Sequence, residues 1–406
     1  MEGKRLIRRI TIENFLSFGP GAEAIELQPV NMLIGPNASG KSNVLETLAL
    51  LRATPRDLTE PIRAGGGISE WLWKGSEQAV ASIDVELFSP LGHRPLRYTL
   101  SLTQAGQRLE LFDEAIEDAS PTRPDSDDVY FYYRYQRGHP AINVRSVEST
   151  DVIHPSERPS FKRSLRREDL KPDQSVLSQR KDPDQYPEVT YVGEQLGNIR
   201  LYREWNLGRY TAPRVPQNVD LPSDFLEENA GNLALVLNDL EHRGETHQII
   251  RSYLREFYDQ IDSVTTRISG GTIQLFVHER GLRPIPATRL SDGTLRYLCL
   301  LAILCHPEPP PLICIEEPEL GLHPDIIPTV ARLLIEASKR TQLIVTTHSD
   351  SLVSEFTDMP ECVLICEREE TGTKLRRLDR AALTEWIEKY RLGELWRMGE
   401  LGGNRW

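Results

Sequence analysis

The chain has 406 residues, more than one domain usually holds but compatible with a single large α/β unit carrying insertions. Its 48 Lys and Arg against 60 Asp and Glu give a net charge of −12, which excludes a uniformly basic coat for nucleic acid. The longest apolar stretch, residues 298–305, cannot span a bilayer, and the N-terminus has no apolar segment of signal-peptide length. We therefore expect a cytoplasmic protein with no membrane partner.

A glycine-rich loop is the first element with clear chemistry. Residues 35–42 read Gly-Pro-Asn-Ala-Ser-Gly-Lys-Ser, and they follow an apolar strand-like run and precede a helical pattern. Free backbone N–H groups of such a loop and the positive end of the next helix hold nucleotide phosphates. We expect Lys41 on the β- and γ-phosphates of ATP and Ser42 on Mg²⁺. The predicted nucleotide-binding residues of this loop are Gly35, Pro36, Asn37, Ala38, Ser39, Gly40, Lys41, Ser42 and Asn43.

The middle of the chain predicts an added antiparallel layer and then an insertion. Strand-like alternation at residues 79–88, 96–102 and 108–112 favours antiparallel strands beside the nucleotide sheet. Residues 117–222 are rich in Pro, Asp, Ser and Arg, which is typical of an insertion. Helical patterns follow at 224–241 and 247–260, and two strands flank Gly270-Gly271, which predicts a hairpin.

The last third of the chain contains three polar segments, each beside an apolar helix or strand. The first lies at the start of a helix. Ser291, Asp292 and Gly293 precede a strongly apolar helix, where Ser291 is a natural N-cap and free amides could bind an anion. A capped core helix is the alternative explanation.

The five cysteines also lie in apolar segments of this region, so we expect buried thiols and no zinc site.

Two short buried-strand patterns end in the remaining candidate residues. Residues 311–315 lead to Glu316, a candidate Mg²⁺ ligand, and to Glu317, which could orient or deprotonate an attacking water. Residues 342–345 lead to His348, which could sense the γ-phosphate. A solvated acidic turn and a helix-capping histidine are the alternatives. The order of all these groups along one chain favours a single nucleotide site.

This ordered set resembles the head of ABC-type ATPases, with Walker A at 35–42, a signature at 290–294, Walker B at 313–318 and a switch histidine at 347–348. Residues 12–18 are similar to the N-terminal strand and turn of RecF, SMC and OLD proteins, and residues 315–324 resemble the OLD-like branch. Residues 231–234 and the tail resemble small bacterial RecF-like ATPases. The resemblance implies an α/β fold: an ABC-type P-loop NTPase head with an antiparallel β layer and a mixed insertion lobe.

Four regions follow from this resemblance: the first part of the head (1–116), the insertion lobe (117–222), a helical pair with a hairpin (223–284) and the second part of the head (285–406). The resemblance implies a homodimer, with higher assembly left open, in which Ser291 and Gly293 act on the ATP of the partner. Glu317, His348 and Lys41 are then the catalytic residues, and Ser42 and Glu316 hold the metal.

Several features depart from the family pattern. Glu316 stands where many relatives have Asp, the signature reads Ser-Asp-Gly-Thr, and Ala38 replaces a usual loop glycine, so hydrolysis is expected to be slow. Gln78 is only a positional candidate for the Q-loop glutamine. The stretch after His348 is too short for the TOPRIM nuclease domain of OLD proteins, so we expect a separate effector, such as a nuclease.

Three functions remain open from the sequence. The first is a nucleotide-gated switch or clamp in phage defence or DNA metabolism. The second is a RecF-type DNA-binding repair protein, because residues 130–137 interleave aromatics with cations and residues 162–167 form a basic run; a half-buried strand and a solvated face are the alternatives there. The third is a metal-dependent hydrolase built on Glu316, Glu317, Glu319 and His323.

Overall fold

The computed structural model describes residues 3–76, 80–91, 94–121, 129–136, 139–145, 160–164 and 170–403. The Q-loop candidate Gln78 lies outside these ranges, as do the side chains of the basic run at 162–167. Within the described part, no helix is long and apolar enough to cross a membrane.

Strands account for much of the described chain. In chain order they are β1 (Ile7–Glu13), β2 (Ile25–Glu26), β3 (Val30–Ile34), β4 (Ala81–Leu87), β5 (Leu96–Ala105), β6 (Arg108–Asp118), β7 (Phe131–Gln136), β8 (His139–Arg145), β9 (Ser160–Ser164), β10 (Arg200–Tyr202), β11 (Gln217–Asn218), β12 (Ile261–Ser269), β13 (Thr272–Glu279), β14 (Ile285–Pro286), β15 (Leu312–Glu316), β16 (Gln342–Thr346), β17 (Val363–Glu369) and β18 (Gly372–Arg377).

Helices cover the faces of the sheets. They are α1 (Lys41–Ala53), α2 (Thr59–Ala64), α3 (Ile68–Trp71), α4 (Val176–Gln179), α5 (Pro187–Gly197), α6 (Leu233–His242), α7 (Gly244–Phe257), α8 (Asp292–Leu304), α9 (Ile327–Ser338), α10 (Asp350–Ser354), α11 (Arg380–Ile387) and α12 (Leu392–Met398).

The central sheet positions the candidate site. Its strand order is β10-β15-β16-β3-β17-β18, and all neighbours are parallel except the β17–β18 pair. Strands β3 and β16 are buried along their whole length, as continuous apolar runs require when helices cover both faces. The carboxyl ends of β15, β16 and β3 therefore meet at one edge, where open α/β sheets bind ligands.

A second sheet is antiparallel, with the order β2-β1-β4-β5-β6-β7-β8-β9. Side chains of β4 alternate between buried and half-buried, as expected for a strand with one face on the core. Residues 131–136 of the aromatic run form β7 of this sheet, with Tyr132, Tyr133 and Tyr135 buried, and Arg137 lies outside the described residues. The half-buried strand is thus confirmed for this run, and these three rings are not free to stack on bases.

The hairpin predicted around Gly270-Gly271 is confirmed. Both glycines have positive φ, 57° and 78°, as the tight turn between β12 and β13 requires. The helix predicted from residue 224 begins only at Leu233, so its start was wrong. Asn232 explains the difference: its side chain accepts from Glu227 N (2.8 Å) and donates to the carbonyls of Pro222 (2.7 Å) and Phe225 (2.8 Å), which stabilises a loop before the helix.

The four regions proposed from the sequence do not coincide with the two sheets. Strand β6 runs across the proposed boundary after residue 116, and β10, inside the proposed insertion, pairs in parallel with β15 of the central sheet. The five cysteines are free and buried, as expected from their apolar surroundings. The fold is α/β, with an antiparallel sheet added to the nucleotide-type sheet.

Candidate nucleotide-binding site

The phosphate loop connects the end of β3 to the start of α1 through left-handed backbone positions. Gly35 and Gly40 have φ of 146° and 107°, and Ala38 has φ of 64°. A Cβ at Gly40 would lie 2.4 Å from Thr373 Oγ1, and one at Gly35 would lie 2.3 Å from the Cys366 carbonyl oxygen, so neither position accepts a side chain. Related loops usually have a glycine at position 38, which favours this left-handed conformation, and Ala38 adopts it here.

Lys41 lies almost fully buried at the first turn of α1. Its Nζ donates to the carbonyl oxygens of Gly35 (2.7 Å) and Pro36 (3.0 Å). Burial lowers the pKa of this ammonium, and the nearby Cys366, Glu317 and Glu316 oppose that shift. Beside it, the buried Ser39 hydroxyl has no hydrogen-bond partner among the described residues. A cation and an unused hydroxyl in a glycine-rich loop at a helix start fit a phosphate group.

The acidic end of β15 faces the start of α1. Ser42 donates its hydroxyl to Glu316 Oε1 at 3.0 Å, and Glu316 pairs in register with Thr346 of β16. A hydroxyl and a carboxylate oxygen at hydrogen-bond distance are the hard oxygen ligands that Mg²⁺ prefers. These residues therefore fit the metal expected with ATP.

Glu317 and His348 follow the neighbouring strands β15 and β16. Glu317 has φ of 46°, and its N–H donates to the Thr346 carbonyl at 2.9 Å. Glu317 Oε1 lies 3.8 Å from His348 Nε2. Burial, and then the charge of Lys41, lower the pKa of His348, while Glu317 opposes the shift. A carboxylate and an imidazole whose pKa is lowered thus lie close together at the ends of these two strands.

Glu319 contacts the turn that carries His348, a role that the sequence did not indicate. Its Oε1 accepts from the Thr347 hydroxyl (2.5 Å) and the His348 N–H (3.3 Å). Burial raises the pKa of its carboxyl. Glu319 therefore holds the turn that carries His348, through contacts that the acidic run alone could not reveal.

The signature segment begins α8 away from the phosphate loop of its own chain. Ser291 caps the helix, since its Oγ accepts from Thr294 N at 3.0 Å, so the predicted N-cap is confirmed. A Cβ at Gly293 would lie 2.7 Å from the Gly321 carbonyl oxygen, which explains why a glycine stands there. Ser291 and Gly293 line a groove of about 470 Å³ with Leu322 and His323, and no residue of the phosphate loop lines it.

Three basic side chains near these groups were missed by sequence reasoning: Arg203, Arg214 and Arg296. Arg203 reaches Glu316, Arg296 donates to the Glu317 carbonyl, and Arg214 bonds to the carbonyl just before Ser291. Their partners lie 113, 21 and 76 positions away in the sequence, and no local pattern marks such contacts.

The phosphate loop also has support from outside its own motif. Thr373 of β18 places its hydroxyl 2.9 Å from the Ser39 carbonyl and 2.7 Å from Ser17 Oγ, which accepts from Asn43 Nδ2 at 2.6 Å. Ser17 falls in the segment that resembles RecF-type proteins, but Thr373 carried no sequence signal.

The acidic residues proposed for a metal-dependent hydrolase are not brought together. Glu319 is turned to Thr347, while the exposed His323 accepts from Asp325 N at 3.3 Å and lines the signature groove. Across the described residues, no group of three or more His, Cys, Asp or Glu is arranged to hold a metal ion. The geometry thus gives the hydrolase alternative no support.

Comparison with known proteins concerns the family and the fold of the chain. A family model described as "AAA domain, putative AbiEii toxin, Type IV TA system" matches residues 30–354. No curated protein matches the chain. The structure of an SMC head bound to the C-winged helix domain of ScpA is similar at 14% identity with a TM-score of 0.53, and it covers 93% of this chain and 99% of that chain.

A second solved structure, the Smc head domain with an extended coiled coil bound to the C-terminal domain of ScpA, derived from Pyrococcus furiosus, is similar at 12% identity with a TM-score of 0.51. The match covers 95% of this chain and 99% of that chain. At such identities the likeness concerns the fold alone. The predicted ABC-type P-loop ATPase head is confirmed as the fold class.

Proposed function

Because the chain belongs to this AAA-domain family, whose model matches most of its length, we propose that it binds and hydrolyses ATP as a homodimer and acts as a nucleotide-gated switch. One observation carries the proposal. The adjacent strands β15, β16 and β3 end at one edge; Glu316 is the last residue of β15, and His348 and the phosphate loop follow the ends of β16 and β3. A phosphate bound on the loop would thus meet a cation, two carboxylates and an imidazole at once.

Each residue has a definite task in this proposal. Lys41 leaves the carbonyls of Gly35 and Pro36 to neutralise the terminal phosphates, and Glu317 accepts a proton from, or orients, the attacking water. His348 donates a ring N–H to the γ-phosphate and so distinguishes ATP from ADP. Ser42 and Glu316 would hold Mg²⁺, which would supply positive charge to neutralise the phosphates.

The position of the signature supports a dimer. Ser291 caps the start of α8, where the positive end of the helix favours an anion, and it lines a groove that no residue of the chain's own phosphate loop lines. A second copy that brings its ATP to this groove would complete both sites through one two-fold interface. Binding of ATP then favours closure, and hydrolysis reopens the dimer.

Glu317→Gln tests this function. The variant keeps the size of the side chain and removes the base, so we expect retained ATP binding, ATP hydrolysis lower by roughly 10²-fold or more, and an ATP-trapped dimer in light scattering. Glu385→Gln, on α11 away from the site, is the matched control. A monomer with ATP and Mg²⁺, or unchanged hydrolysis in Glu317→Gln, would contradict the proposal.

The biological role we propose is phage defence or DNA metabolism, with a separate effector such as a nuclease. The family description, which names a toxin of a Type IV system, favours a defence role. Phage plating on cells that express the chain with its neighbouring gene, against the Lys41→Ala form, tests the defence role: equal plating would contradict defence and favour DNA metabolism. A RecF-type DNA clamp is the alternative, and loss of salt-dependent DNA binding on charge reversal of Arg163, Arg166 and Arg167 would support it.

A further inference from the structure

The loop that leaves β10 runs beside the acidic end of β15 and then reaches the start of α8. Tyr202, the last residue of β10, pairs with Ile315 in the parallel register, so the chain leaves β10 where Glu316 leaves β15. We call residues 203–214 the strap. None of its residues belongs to a nucleotide-binding motif, yet it contacts both halves of the proposed site.

The first residue of the strap holds the candidate metal ligand. Arg203 NH1 donates to Glu46 Oε1 at 2.7 Å, and its Nε donates to Glu316 Oε2 at 3.4 Å. Since Ser42 bonds to the other oxygen of Glu316, that carboxylate is held from both sides. Arg203 therefore ties the helix after the phosphate loop to the acidic strand end.

Trp205 and Arg296 hold two consecutive backbone carbonyls. Trp205 Nε1 donates to the Glu316 carbonyl at 3.2 Å, and Arg296 NH1 donates to the Glu317 carbonyl at 3.1 Å. The Arg296 guanidinium lies 5.1 Å from the centre of the Trp205 ring, in cation–π contact. Glu317 has a left-handed φ of 46°, which persists only where surrounding contacts hold it.

The last residue of the strap holds the signature. Arg214 is buried, and its guanidinium donates to the carbonyls of Leu207 (2.8 Å) and Leu290 (2.5 Å) and pairs with Asp292. Leu290 and Asp292 flank Ser291, so a displacement of Ser291 acts directly on the strap. Arg296 lies on the same helix, just over one turn after Ser291.

We propose that the strap and Arg296 link the signature helix to the backbone of Glu317, with Trp205 and Arg296 as positioning residues for hydrolysis. The proposal rests on the function proposed above, in which Ser291 meets the partner's ATP and Glu317 acts in its own site. When the partner's ATP contacts Ser291, α8 and its Arg296 then change the position of the Glu317 backbone in the same chain. The two ATP sites of a dimer therefore hydrolyse cooperatively.

Trp205→Phe is the first test, because it keeps a ring beneath Arg296 and removes only the Nε1 donor. We expect kcat to fall about tenfold, while the ATP Kd from equilibrium binding stays the same, since the phosphate loop is untouched. The Hill coefficient of hydrolysis, above 1 in the wild type, should fall to 1. Arg296→Gln should do the same, and Arg296→Lys, which keeps the charge and one donor, should restore part of kcat.

Two matched substitutions serve as controls. Trp386→Phe changes an exposed tryptophan on α11, and Arg5→Gln changes an arginine 5.3 Å from the Phe88 ring, so both should behave as the wild type. Unchanged kcat and Hill coefficient in Trp205→Phe and Arg296→Gln, or a joint loss of ATP binding and kcat, would overturn the link. A wild type that does not hydrolyse ATP would instead overturn the proposed function.

Discussion

Ser42 donates its hydroxyl to the carboxylate of Glu316 at 3.0 Å, although the two residues are 274 positions apart in the sequence. One stands at the start of α1 and the other at the end of β15, two strands away from β3 in the sheet. Their contact brings a helix start and a strand end into a single oxygen-lined position.

Glu316→Gln tests the metal at this position. The amide removes a negative charge, so we expect the Mg²⁺ concentration for half-maximal ATP binding to rise about tenfold. A magnesium titration of fluorescent ATP-analogue binding measures the change, and a chelator should abolish the difference between the two proteins. Glu336→Gln, an exposed glutamate of α9 paired with Lys339, is the control. Equal magnesium dependence would exclude Glu316 as a ligand.

Mixing two inactive variants tests the composite sites. Lys41→Ala should lose nucleotide binding, and Ser291→Arg should block the partner's nucleotide by filling the signature groove. A heterodimer of the two retains one site with both intact halves, so the mixture should recover up to about a quarter of the wild-type hydrolysis. Lys74→Ala mixed with Ser291→Arg controls for subunit exchange. No recovery over the separate variants would place Ser291 and Lys41 in cis.

Thr373→Val tests the support of the phosphate loop from β18. Valine has the same shape but lacks the hydroxyl that lies between Ser39 O and Ser17 Oγ, so it leaves buried polar partners unsatisfied. We expect a loss of about 1–3 kcal/mol in the free energy of unfolding and weaker ATP binding. Denaturant unfolding and equilibrium binding measure these changes. Thr384→Val, on exposed α11, should change neither, and full ATP affinity in Thr373→Val would refute the role.

Glu114 of β6 predicts a pH dependence of stability. It is buried, accepts from Tyr98 Oη, Ser175 Oγ and Val176 N, and burial raises the pKa of its carboxyl to about 7. The folded protein keeps a proton that the unfolded chain releases above its ordinary pKa of 4.5. The stabilisation from this group is therefore complete below pH 4.5 and is lost as the pH rises to about 7.

Glu114→Gln isolates this contribution, because the neutral amide can still bond to the two hydroxyls. Between pH 5 and pH 8, the wild type should lose about 2 to 3 kcal/mol of unfolding free energy relative to the variant. Denaturant unfolding at both pH values measures the difference, and all other titrating groups cancel in the comparison. Parallel pH profiles would show that the carboxyl ionises normally in the folded protein.

Local features made part of the fold predictable. The run Val30–Ile34 and the glycine-rich loop after it indicate a buried strand and a phosphate loop, since each depends on residues adjacent in sequence. Ser291 was predicted as a cap for the same reason. The start of α6 was not predictable, because Asn232 stabilises the preceding loop with contacts that compete with the helix.

The sequence by itself determined which groups the site contains and in what order they follow buried strands, because apolar runs, glycine turns and caps act over a few residues. The tertiary structure decided which of them meet. The order β15-β16-β3 places Glu316, His348 and Lys41 at one edge. The tertiary structure also brings Arg203, Trp205 and Thr373 to the site, because contacts between distant segments depend on how the strands are connected and paired.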